Sequence, residues 1–225
     1  MGVTGVFYDE AGYDFGADRL RQNAAVDYAH SQGLRVFINA FRQADIFDPA
    51  PVGQVTYVGN LAGQLSTLAM NPGGVATQLG PDDLSLLESY QIIQGSYNQP
   101  ADWTQRADQA LRFRRQFGTR FATVTTAVDD APGCGFEQGK FDYAWWSTLL
   151  YGFDYMGWGE GFNFSAAGAC DASLPLRARP APPGIGTAFV APQVTHALAL
   201  HTRQTTTGQI QVDANLHTGQ FAAVT

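Results

Sequence analysis

A chain of 225 residues, 45% hydrophobic and 15% charged, is long enough to bury one sizeable core and has an ordinary length for an α/β domain. Its formal net charge of −7 argues against a nucleic-acid partner, because neutralising phosphates needs a surplus of Lys and Arg. No apolar run reaches the length of a membrane span, and Met1 leads almost at once into an apolar strand without the basic region of a signal peptide, so an export signal would lie upstream.

The first element is the short apolar run "VTGVFYDE" (3–10), the pattern of a strand buried in a parallel sheet. It delivers two adjacent acids, Asp9 and Glu10, to its end. A core strand has no use for unpaired carboxylates, but the exit of a strand can line a pocket. Asp18 occupies an N-cap position, and the helical pattern behind it stops at Gly33. "RVFINAF" (35–41) is the second strand, with Asn39 near its C-terminal end. Residues 43–80, rich in Gly, Pro, Thr and Gln, break the rhythm and read as a long excursion containing a hairpin rather than a helix.

The alternation resumes with "DLSLLESYQI" (83–92), which brings Glu88 to a strand end with Tyr90 beyond it. A helix at 100–118 starts on Pro100 and stops at Gly118. A strand at 121–128 and a helix at 141–153 follow. "DYMGWGEGF" (154–162) is the fifth strand, and Trp158 and Glu160 stand at its exit. Residues 166–190 form a linker containing the stiff "RPAPPG", and 191–225 alternate in polarity around Thr207-Gly208, as a terminal β-hairpin or small β subdomain does.

Five strand–helix alternations imply parallel β/α units over residues 1–165, and in such folds ligands and chemistry occupy the C-terminal ends of the strands. Acids stand at three of these five ends. Glycoside hydrolysis needs two carboxyl groups: one protonates the leaving oxygen, and the other attacks or activates water. The candidate catalytic residues are Asp9, Glu10 and Glu88, with either Asp9 or Glu10 able to face the pocket. Tyr13, Asn39, Tyr90, Trp158 and Glu160 are candidate substrate contacts, aromatic rings serving to stack on sugar faces. The alternative for the acids is structural pairing with Arg19 or Arg42.

Other chemistries lack their signatures. The four histidines have no metal-ligand spacing, and there is no nucleophile elbow, phosphate loop or CxxC pair, so no cofactor is expected. "DDAPGCG" (129–135) lacks the alternating ligands of a calcium loop. Cys134 and Cys170 follow consecutive, adjacent parallel strands, so their loops share one face and a disulfide between them is expected. That bridge is the main reason to expect an extracellular or surface location.

"GVFYDE", "VFINA" and "LLESYQ" together resemble the spherulin-4-like glycoside hydrolases, TIM barrels related in style to polygalactosaminidases. The resemblance covers residues 3 to about 162. It implies a (β/α)8 barrel acting on galactosamine-containing polysaccharide, with Asp9 and Glu10 as the strand-end pair and Glu88 as the later acid. The fold expectation is thus α/β, an incomplete TIM-like barrel of about five β/α units with a small C-terminal β element. A full barrel has eight strands in ~250 residues, and the Asp-Glu strand is about the fourth in the family. The missing wall would come from an upstream segment or another chain, or the sheet remains open. A rival reading from another class is a non-catalytic carbohydrate-binding or structural module of a surface layer, filament or phage tail fibre.

Overall fold

The computed structural model describes residues 2–58, 65–126, 136–159, 179 and 188–223. The fold is mixed α/β around a central five-stranded parallel sheet. Its strands are β1 (Gly5–Tyr8), β2 (Arg35–Asn39), β5 (Leu84–Leu87), β8 (Arg120–Thr126) and β9 (Tyr155–Gly159), in that spatial order. All five coincide with the apolar runs read from the sequence. The helices α1 (Arg19–Ser31), α3 (Pro100–Phe117) and α4 (Gln138–Tyr151) lie between them in the chain. No helix among the described residues is long and apolar enough to cross a membrane.

Two compact units make up the chain: residues 1–88 with 109–122, and residues 89–108 with 123–225. In the first, the Asp18 carboxylate caps α1 by accepting from Arg21 N–H at 2.9 Å, and Gly33 ends the turn in the left-handed region at φ 70°, where a side chain would be strained. α1 packs on β2, burying Val26 and Ala29 on the helix and Val36 and Ile38 on the strand. Phe47 is fully buried and stacks on Phe113, with Phe117 and Phe121 at 5.8 and 5.5 Å. A side chain of that size contributes about 2–3 kcal/mol by burial.

The excursion after β2 contains the expected hairpin, β3 (Val52–Val58) paired antiparallel with β4 (Leu65–Asn71). It also contains a helix that the sequence reading excluded, the single turn α2 (Ala44–Phe47), whose Ile46 and Phe47 anchor it in the core. A 3-10 turn, η1 (Tyr13–Phe15), follows β1, and β3 packs against it. The excursion therefore lies at the C-terminal end of the strands, as expected for a segment leaving there.

The second unit contains a short hairpin of β6 (Ile92–Ile93) and β7 (Ser96–Tyr97). It also holds a four-stranded antiparallel sheet: β10 (Thr195–Ala197), β11 (Leu200–Gln204), β12 (Gly208–Asp213) and β13 (Thr218–Ala223). This is the small-sheet form of the expected C-terminal element. It packs on α4, whose end accepts two hydrogen bonds from the buried Arg203 guanidinium at Leu150 and Tyr151 carbonyls. Most of the expected 166–190 linker lies outside the described residues, as do Cys134, Cys170 and their proposed bridge.

Candidate active site

β2 runs between β1 and β5, parallel to both, with Tyr8 level with Ile38 and Asn39 level with Leu86. Side chains alternate along a strand, so Asp9 shares a face with Phe7, and Asn39 with Phe37. The Phe7 and Phe37 rings lie 4.8 Å apart on that face, while Tyr8 on the opposite face donates its hydroxyl to the Ala25 carbonyl of α1. Asp9 is one residue past β1, Asn39 ends β2 and Glu88 is one residue past β5. Three neighbouring strand ends thus present an acid, an amide and an acid on one side.

The amide joins the acids. Asn39 Nδ2 donates to Asp9 Oδ1 and to Glu88 Oε2, both at 2.9 Å. A shared nitrogen caps the separation of those oxygens at twice that bond, about 5.8 Å, and the roughly 120° between an amide's two N–H bonds places them near 5 Å. Asn39 is only 7% exposed, and its Oδ1 has no hydrogen-bond partner among the described residues. Asp9 is exposed and Glu88 half-buried, so the pair is reachable from solvent.

Of the two adjacent acids, Asp9 joins Asn39 and Glu88. Glu10 takes the left-handed region at φ 53°, and its backbone N–H turns back onto Asp9 Oδ1 at 2.9 Å. Ser89, the residue after Glu88, is left-handed too, at φ 49°. Non-glycine residues pay a strain of roughly 1–2 kcal/mol for this conformation. Glu10 and Asp9 both border a cleft of about 350 Å3 on the α1 side of β1, whose walls include Tyr8, Phe15, Arg21 and Gln22.

Other candidates lie elsewhere. Tyr13 is 5% exposed; its N–H donates to Asp45 Oδ2 and its hydroxyl accepts from Arg19 Nη2, so it supports the loop rather than stacking on a ligand. Burial pushes its hydroxyl pKa up. Tyr90 is fully buried in the second unit, edge-on to Trp103 and Phe153, and burial raises it well above an ordinary tyrosine. Both serve their cores because each faces inward from its loop. Trp158 is half-buried and meets the edges of Phe136 and Phe141. Glu160 lies outside the described residues.

Sequence reasoning missed the support of this end of the first unit. Arg19, considered above as a partner for the acids, is fully buried and donates to Gln22, to Tyr13 and to the carbonyls of Asp45, Asp48 and Val75. It thereby ties together η1, α2 and the chain returning from β4. Its position in the first turn of α1, beneath two loops, carries no local signal. Asp45 is raised by burial, the Tyr13 N–H opposing and Asp14 adding to the shift.

No protein-family model matches the chain, and no curated protein matches it.

Proposed function

We propose that the chain is a glycoside hydrolase-like domain that cleaves an extracellular polysaccharide, a galactosamine-containing polymer being the first substrate class to test. The observation that carries this reading is the Asn39-bridged pair. The Asp9 and Glu88 oxygens held by Asn39 lie within about 5.8 Å of each other, which supports the close carboxyl spacing of roughly 5–5.5 Å used by retaining glycosidases as the first mechanism to test.

In this reading Asp9 is the nucleophile. Its Oδ1 is held by Asn39 Nδ2 and Glu10 N–H, so in this proposal Oδ2 is the oxygen that attacks the anomeric carbon. Glu88 protonates the departing glycosidic oxygen as the Asp9–sugar bond forms. It then takes a proton from the water that releases the sugar, restoring both groups. Asn39 sets the spacing between them.

The incomplete TIM-like barrel belongs to the same proposal. β1 ends the sheet among the described strands, and the face carrying Asp9 exposes 48% of Phe7 beside a half-buried Phe37. An uncovered apolar sheet face next to an open strand edge suits completion by an upstream segment or another chain.

The test is release of reducing ends from a polysaccharide panel that includes α-1,4-linked galactosamine polymer. Cleavage lost in Glu88→Gln and Asp9→Asn, with unchanged melting temperature, supports the enzyme. Binding of a polysaccharide without cleavage by the unmodified protein would transfer the reading to a non-catalytic carbohydrate-binding module.

A further inference from the structure

Away from the carboxylate pair, the second unit contains a continuous chain of hydrogen bonds through two histidines. Tyr151 Oη, at the end of α4, donates to Asp108 Oδ1 at 3.1 Å, and His196 Nε2 meets the two oxygens of the same carboxylate at 3.0 and 3.3 Å. His196 Nδ1 lies 2.9 Å from Nδ1 of His201, its cross-strand partner between β10 and β11. His201 is 4% exposed, edge-on to the buried Trp103, and its Nε2 has no hydrogen-bond partner among the described residues.

Valence assigns the protons. A carboxylate only accepts, so His196 carries its N–H at Nε2. A neutral His196 then offers Nδ1 as an acceptor, and the 2.9 Å contact requires the N–H of His201 at Nδ1. This leaves His201 Nε2 as a buried lone pair.

We propose that His196 and His201 form a one-proton latch that holds the edge strand β10 on β11 at neutral pH and opens on acidification. A further proton has no good place. On His201 Nε2 it makes a buried N–H without an acceptor; on His196 Nδ1 it sets N–H against N–H. All three residues of β10 are exposed, and among the described strands its neighbour in the sheet is β11 alone, so besides the His196–Asp108 contact the pairing with β11 is what retains it.

The surrounding groups fix the sign. Burial and then the neighbouring His196 hold His201 below the ordinary histidine range, against the opposing pull of Asp108 on α3 and Asp213 on β12. Tyr151 keeps its proton, raised by burial and by Asp108, with Arg203 opposing. The unfolded chain therefore takes up the proton first. The latch's stability is complete above the unfolded value of about 6.5 and is lost as pH falls from there through the lower folded value.

Long-range 15N–1H NMR on the full chain tests the arrangement directly. At about pH 7.5, His201 should be the Nδ1–H tautomer and His196 the Nε2–H tautomer. Amide exchange across Thr195–Ala197, corrected for intrinsic rates, should then accelerate at least about tenfold on moving to about pH 5, while β12 and β13 keep their protection. His201→Gln, which does not titrate, should remove that pH dependence. An Nε2–H tautomer of His201 at neutral pH, or β10 protection equal at both values, would overturn the proposal, and neither outcome depends on the glycosidase reading.

Discussion

Asp9 and Glu88, 79 residues apart in the chain, accept hydrogen bonds from one side-chain nitrogen, that of Asn39. The strand order places β2 between β1 and β5, so an amide at its end has an acid on either side, and its two N–H groups diverge toward both. Asn39→Asp replaces the donor with a third carboxylate. Crowded acids are held above their ordinary range, so the variant should lose stability as pH rises past about 4–5 and recover it on acidification. Urea midpoints across that range check it; a pH-independent loss would show that charge crowding is not the cause.

The left-handed Glu10 is expected to separate two substitutions. Glu10→Gly accepts φ 53° without strain and should be neutral to slightly stabilising, while the β-branched Glu10→Val should cost about 1–2 kcal/mol. Chemical denaturation measures both. If the backbone also orients Asp9, Glu10→Gly keeps polysaccharide cleavage and Glu10→Val loses most of it.

Asp83 should be the most sensitive acid for stability. It is 1% exposed and accepts from Val36 N–H and Gly80 N–H at 2.8 Å each, with His30 Nε2 at 3.0 Å. Asp83→Ala orphans two backbone donors, at about 1–3 kcal/mol each. A thermal midpoint within a degree or two of the parent would contradict this account of the N-terminal end of the sheet.

Asp45 carries the opposite sign. Its folded value is raised, chiefly by burial, so the folded state holds its proton more tightly than the unfolded chain does. The carboxylate therefore costs stability above the folded value, and the cost vanishes below the unfolded value of about 3.9. Asp45→Asn keeps an oxygen for the Tyr13 N–H. It should raise the urea midpoint at neutral pH, with the gain disappearing near pH 3–4. An equal gain at both pH values would point to packing instead.

The elements of the sheet were legible because they depend on local properties. Short apolar runs mark β1, β2, β5, β8 and β9. Asp18 declares the start of α1 by a side-chain cap, and Gly33 its end by a backbone only glycine adopts cheaply. The presence of acids and an amide at strand ends could be read the same way, since it needs only strand boundaries and a parallel arrangement.

Which acid faces the amide depended on the left-handed turn at Glu10, set by how the chain leaves β1 toward η1 rather than by composition. Tyr13 and Tyr90 look like sugar platforms in the sequence and are buried, because aromatic rings suit a cleft and a core equally and only their neighbours distinguish the two. α2 was hidden because four residues are too few for a helical period, and its stability comes from Ile46 and Phe47 in the core. Arg19, Asp83 and the His196–His201 pair acquire their roles from partners that reach 56, 53 and 88 residues away along the chain. Such distances are closed only by tertiary folding, so local sequence patterns name the residues and the packed chain decides what each one meets.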